Sequence, residues 1–286
     1  SRDADKETKQ QWRRFYVETI ENSHKIDEFE NCEYMFLAIL DANKVALRAF
    51  LKESSPLMFR PAQQYHSVQV IGKKWMLKSD RKLQGIKTRR VRGDERSQLL
   101  KFLMEANARK PLGASPSEVE RRQLQWADFK TESFIVCENL QGEWLSVCAP
   151  TNFTESRSLV VERATKALLL LSKLARLFGG PVLKEKQDLK TTYFTHMEFA
   201  PEVDANDKLW CVRSFVDYVF KDVVTRDQNM LSFSWPAEAQ VHSHPALKPY
   251  LAQVTSGTYY QVYPKFRESD LIKINDSKNV AFEVGL

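Results

Sequence analysis

The run Thr192-Tyr-Phe-Thr-His-Met-Glu-Phe199 constrains the fold most. Its side chains alternate, with Tyr193, Thr195, Met197 and Phe199 on one face and Phe194, His196 and Glu198 on the other. A period of two reads as a β-strand, and a strand is stable only beside other strands. Partners are available. Phe134–Cys137 and Trp144–Cys148 are short strand-like runs around the polar connection Glu138-Asn-Leu-Gln-Gly-Glu143, a hairpin pattern. Met230–Trp235, Thr258–Tyr263 and Val280–Val284 read as further strands, and Val68, Val70, Trp75 and Leu77 alternate on either side of Gly72.

Helical patterns interleave with these strands. Trp12, Phe15, Tyr16 and Ile20 recur at helical spacing. Phe29, Cys32, Phe36, Ile39 and Leu40 form a second helical face, which continues past Asp41-Ala-Asn43 through Leu47, Phe50 and Leu51 and stops at Ser54-Ser-Pro56. Asp94 and Glu95 open a helix whose Leu99, Leu100, Leu103 and Ala106 face inward, acids suiting a helix N-terminus. Ser115, Pro116 and Glu118 make a capping box that starts a helix at about 116–127, with Val119 and Trp126. Residues 156–178 read as a helix almost apolar all round, closed by Gly179-Gly-Pro181. Leu209–Val224 is expected to pass from strand into helix, and Pro245–Val254 to be a short helix.

The order is not a strict βαβ alternation. The expected class is therefore α+β, with an N-terminal helical unit packed on a mixed α/β C-terminal domain whose sheet is largely antiparallel. The expected divisions are a helical unit at 1–60, a basic strand and helix segment at 61–112, and a mixed domain at 113–286. The chain has 286 residues, enough for a real hydrophobic core.

Charge separates these segments. The net charge of +6 divides into −1 over residues 1–60, +9 over 61–130 and −2 over 131–286. Lys73, Lys74, Lys78, Arg81, Lys82, Lys87, Arg89, Arg90 and Arg92 put nine cations in twenty residues, opposed there by Asp80 alone. Phosphate backbones bind such surfaces by Coulomb attraction and counterion release, and Trp75 inside the run is a candidate stacking residue. The leading expectation is a non-enzymatic nucleic-acid-binding protein, DNA or RNA, contacting its target through these ten residues.

Two other readings compete. His196 with Glu198, and His242-Ser-His244, place side chains two apart, so a metal-dependent nuclease or phosphodiesterase using Glu138, His196, Glu198, Asp204, His242 or His244 is the enzymatic alternative. A module docking its basic segment on an acidic partner is the other, with Trp12, Phe15 and Tyr16 as a homodimer face. No cofactor is expected. The chain has no GxSxG, GxGxxG or GxxxxGK[ST] motif, which disfavours serine hydrolases and nucleotide-driven enzymes.

Cys32, Cys137, Cys148 and Cys211 show no CxxC spacing and sit in apolar runs, as buried free thiols do. An intracellular protein is expected from this cysteine usage. No stretch approaches the roughly 18 apolar residues of a membrane span. The first residues, Ser-Arg-Asp, lack a starting Met and suggest a processed form or a fragment.

Overall fold

The structure, a computed structural model, describes residues 6–22, 35–52, 55–73, 85–110, 130–152, 184–188, 190–221, 230–237, 243–265 and the single positions 160, 166, 169, 170, 173 and 241. Among the described residues it is a mixed α/β architecture with eight strands, parallel and antiparallel. Two compact units are present: residues 1–65 with 255–278, and residues 66–254 with 279–286.

The first unit contains α1 (Lys6–Glu21), β1 (Met35–Leu40), α2 (Lys44–Phe50), the start of β2 (Leu57–Lys73) and the end of β8 (Tyr250–Pro264). β1 runs antiparallel to β8, from Met35 opposite Val262 to Leu40 opposite Gly257. Ile20, Ile39, Leu57, Tyr260 and Val262 form the core, with Phe50 and Phe59 packed on it. The expected helical unit is thus corrected. Met35-Phe-Leu-Ala-Ile-Leu40 is a continuous apolar run, and periodicity alone does not separate strand from helix in so short a run. The chain turns at Asp41-Ala-Asn43, where the Ala46 N–H donates to Asn43 Oδ1 at 3.1 Å and caps α2.

The second unit holds the rest of β2, then β7 (Met230–Pro236), β6 (Thr191–Phe199), β5 (Trp144–Asn152), β4 (Ile135–Glu138) and β3 (Lys87–Arg90) in hydrogen-bonded order. β3, β4, β5 and β6 are antiparallel neighbours, and β6 and β7 are parallel. The expected β4–β5 hairpin is present: Asn139 Oδ1 accepts from the Gln141 and Glu143 amides, and Gly142 takes φ 82°.

Among the described residues, α3 (Arg96–Ala108) and α4 (Ala205–Lys221) cover opposite faces of these strands. α3 follows a 3₁₀ turn at Gly93–Glu95. Its Leu99 and Leu103 pack with Phe134 and Val136. α4 packs Val212, Phe215 and Val216 with Ile135, Cys137, Phe194 and Phe233. Even and odd positions of one strand go to different helices, as the pleat requires. The expected strand start at Leu209 is helix instead, because Asp204 Oδ1 accepts from the Asp207 N–H at 2.7 Å and begins α4 earlier.

Arg213 of α4 is 2% exposed. Its Nε donates to Asp217 at 2.9 Å and its Nη1 to the Ala246 carbonyl at 3.0 Å, and its guanidinium lies 5.2 Å from the Tyr250 ring centroid. Burial, with Asp217 beside it, pushes the Tyr250 phenol well above its ordinary range. These bonds hold the segment after Val241, where turns over residues 245–249 run into β8 rather than into a helix.

The expected helix at 116–127 and the strand at 280–284 lie outside the described residues. Of the expected helix at 156–178, Lys166, Leu169, Leu170 and Lys173 are helical, with Leu170 60% exposed, whereas Val160 forms an antiparallel β-bridge with Asp188 instead. Among the described residues, no helix is long and apolar enough to cross a membrane.

Candidate functional site

The alternation that marks β6 in the sequence is broken inside the strand. His196 has φ 48°, and the β5–β6 register shifts between Val147 and Ala149. This is bulge geometry, common beside binding sites. Phe194, Thr195 and His196 are in consequence all buried. Thr195 donates to the Ala149 carbonyl at 3.0 Å, its Oγ1 stands 3.1 Å from His196 Nδ1, and the His196 ring lies 5.9 Å from that of Phe134.

The β6–β7 ladder has three pairs, Thr191–Met230, Thr192–Leu231 and Tyr193–Ser232. Past that point aromatic rings connect the two strands: Phe194 stacks on Phe233 at 6.1 Å, and Phe199 meets Trp235 edge-on at 5.8 Å. A parallel pair among antiparallel strands is a topological change, and ligand sites of open sheets gather at the carboxyl ends of strands beside such points.

At the carboxyl end of β6 the chain crosses to α4 and borders a cleft of about 360 Å³. Glu202 and Val203 come from the crossing, Asp207, Trp210 and Cys211 from α4, and Leu145 from β5. The Glu202 and Asp207 side chains are exposed, while Trp210 is buried and meets the His244 ring edge-on at 5.9 Å. His244 is fixed on both nitrogens. Its Nδ1 accepts from the Ala246 N–H at 3.2 Å, which leaves the proton on Nε2 to donate to Asn206 Oδ1 at 2.9 Å.

Below the cleft lies a network of small polar groups. Thr88 Oγ1 is 3.1 Å from Cys137 Sγ and 2.6 Å from Ser214 Oγ, and Cys137 Sγ reaches the Cys211 carbonyl at 3.5 Å. Burial pushes the Cys137 and Cys148 thiols well above their ordinary values. The Cys211 thiol, with Cys137 beside it, moves the other way.

The cationic segment is placed in part. Lys73 ends β2; Lys74, Trp75, Lys78, Arg81 and Lys82 lie outside the described residues; Lys87, Arg89 and Arg90 are in β3, and Arg92 precedes the 3₁₀ turn. Arg89 donates to both Glu95 oxygens at 2.7 Å and to Glu138, Arg92 bonds Glu95 at 3.0 Å, and Arg90 reaches the Glu132 carbonyl at 3.3 Å. The Glu95 carboxyl is held down to about 2, first by its bonds from Arg89.

Among the described residues, the candidate carboxylates and histidines do not converge. Glu138 is bound by Arg89, and Glu198 by Lys110 at 2.5 Å. His242 lies outside the described residues. Among the described residues, no group of three or more His, Cys, Asp or Glu side chains is placed to hold a metal ion.

No family model matches the chain, and no curated protein matches it. Several solved structures are similar. A GCN5-related N-acetyltransferase from Sphaerobacter thermophilus has 12% identity and a TM-score of 0.45, over 80% of this chain and 59% of its own. A functionally unknown conserved protein from Staphylococcus epidermidis has 11% identity and a TM-score of 0.45, over 88% and 81%. The Saccharomyces cerevisiae N-myristoyltransferase with bound myristoyl-CoA has 9% identity and a TM-score of 0.39, over 81% and 63%. The chain thus spans less than two thirds of the two named transferases.

These findings correct the expected function. Two of the three named similar structures are acyl-group transferases by name, and the expected DNA- or RNA-binding protein is not carried forward. A physical reason appears at the described end of the basic segment, where Arg89 and Arg92 are engaged by Glu95, and Arg89 by Glu138 as well, instead of standing free for phosphate. The metal-dependent nuclease, the acidic docking partner and the homodimer are set aside with it.

Sequence reasoning missed Glu202, Asp207 and Trp210. Their signal was local: Asp204 and Asp207 have N-cap spacing, and Trp210 follows one turn after Asp207.

Proposed function

We propose that the second unit binds a small molecule carrying a protonated amine, in the cleft at the carboxyl end of β6. The supporting observation is the composition of that cleft: two carboxylates, Glu202 and Asp207, beside the walls formed by Trp210, Val203 and Leu145. A concave site with two negative charges focuses field on a cation. An aromatic wall adds cation–π attraction of about 0.5–2 kcal/mol. The aliphatic walls take the carbon skeleton out of water.

The same residues argue against a phosphate at this helix start. A free helix N-terminus attracts anions, but here Asp204 occupies the Asp207 amide and Asp207 adds a charge in the first turn. The start of α4 does not fit the phosphates of a coenzyme A thioester, so no step through such a donor is assigned.

Calorimetric titration with phenethylamine, and with the uncharged 2-phenylethanol, tests the reading. The amine is expected to bind at least tenfold more tightly, with affinity falling as salt rises. A Glu202→Gln/Asp207→Asn variant that keeps its fold is expected to lose the preference. Equal affinity for the two probes, or no binding of the amine, overturns it. Thiol release from an acetyl thioester in the presence of the amine measures N-acylation, the activity named for the N-acetyltransferase among the similar structures.

A further inference from the structure

The first unit has an internal space that the amine cleft does not explain. α1, β1, α2, β2 and β8 together enclose a cavity of about 250 Å³. Its wall is almost entirely carbon. Phe36, Phe50 and Phe59 line it, with Phe50 and Phe59 packed at 5.8 Å, and Phe15, 59% exposed, stands at its rim. Among the described lining residues none is charged, and the polar ones are Thr19 and Ser55. Ser55 is buried, and its hydroxyl accepts from the Leu57 N–H at 3.3 Å.

Protein interiors pack like organic crystals and keep few voids larger than a water molecule. Water gains little in a space with so few partners, since a buried water needs two to four polar groups. An apolar cavity of roughly 150 Å³ takes benzene; in proportion, this one has room for about ten carbon atoms.

We propose that this cavity is a binding site for an uncharged hydrocarbon group of about ten carbons, either a chain or a fused ring. The absence of charge among the described lining residues selects against a carboxylate or an ammonium group carried into the cavity, because burying an unpaired charge is far costlier than burying a hydroxyl. The site belongs to the first unit and does not rest on the amine reading.

Calorimetric titration of the full chain with 1-hexanol through 1-dodecanol, naphthalene and decanoate tests the proposal. Among the alcohols, affinity is expected to rise about fourfold per methylene and to stop rising near nine or ten carbons. Decanoate is expected to bind at least tenfold more weakly than 1-nonanol. Naphthalene binding more tightly than 1-nonanol identifies a ring as the occupant, and the reverse identifies a chain. Ala49→Trp at the wall, or Leu37→Phe if the first variant fails to fold by circular dichroism, is expected to reduce affinity at least tenfold. No saturable binding of any neutral probe overturns the proposal. So does a folded filling variant that binds as the unaltered chain does, or decanoate binding as tightly as the alcohol.

Discussion

Arg89 of β3 and Glu95 of the turn before α3 are joined by two parallel hydrogen bonds, Nη1 to Oε2 and Nη2 to Oε1, each 2.7 Å. A paired fork of this kind is stronger and more directional than a single ion contact. Glu95 also accepts from the Arg92 backbone N–H at 2.8 Å, so one carboxylate ties the β3 strand to the start of α3.

The first prediction concerns that tie. Glu95→Gln removes the charge and leaves Arg89 with Glu138. Stability is expected to fall by about 2 kcal/mol, the scale of a charge-assisted bond, measured by urea unfolding. The pH dependence has a definite sign. The Glu95 carboxyl titrates at about 2 in the folded chain, below its ordinary 4.5. Its contribution is therefore fully present above about 4.5 and is lost as pH falls from there toward 2. The unaltered protein is expected to lose stability across that window more steeply than Glu95→Gln.

A second prediction concerns Gly257 opposite Leu40. A Cβ at this position would lie 2.6 Å from Cζ of Tyr65, whose ring is buried and stacked on Tyr259 at 4.4 Å. The ring has little room to withdraw. Gly257→Ala is expected to lower stability by about 1–3 kcal/mol, as overpacking does. Tyr65→Leu in the same background is expected to recover part of it, since it removes the ring atoms that clash. Urea unfolding of the two variants measures both effects.

The buried Arg213 gives a third. Arg213→Ala leaves Asp217 without its 2.9 Å partner inside the unit and is expected to cost about 3–5 kcal/mol. Arg213→Met with Asp217→Leu is expected to cost less than Arg213→Ala alone, because no uncompensated charge remains. Thermal unfolding of the single and double variants separates the two outcomes.

A fourth concerns the thiols. Cys137, Cys148 and Cys211 are buried and free. In the native state they are expected to resist an aromatic disulfide reagent and to react on unfolding. If one reacts first on partial opening, Cys211 is expected to be that one, since it borders the cleft and its thiol is the one shifted toward ionisation. Peptide mapping after timed labelling identifies it.

The β4–β5 hairpin, the inward face of α3 and the existence of β6 are legible in the amino-acid order, because each follows from period and turn chemistry within about twenty residues. The strand over Phe36 to Leu40 is not. A short apolar run fits both the helical and the extended period, and the pairing partner in β8 lies more than two hundred residues away. The charge pattern misleads in a similar way. Nine cations within twenty residues are visible locally, whereas Glu138, which neutralises Arg89, arrives from a different strand.

The sequence by itself determined that the chain forms strands and helices, which faces of them are apolar, and where several begin and end, since each depends on neighbours along the chain. Only the tertiary structure decided that Glu138 engages Arg89, that β6 bulges at His196, and that Leu145 and Ile86 join Glu202, Asp207 and Trp210 in one cleft. Those outcomes depend on groups brought together across the fold, and long-range contact is set by packing and strand pairing that no local period encodes.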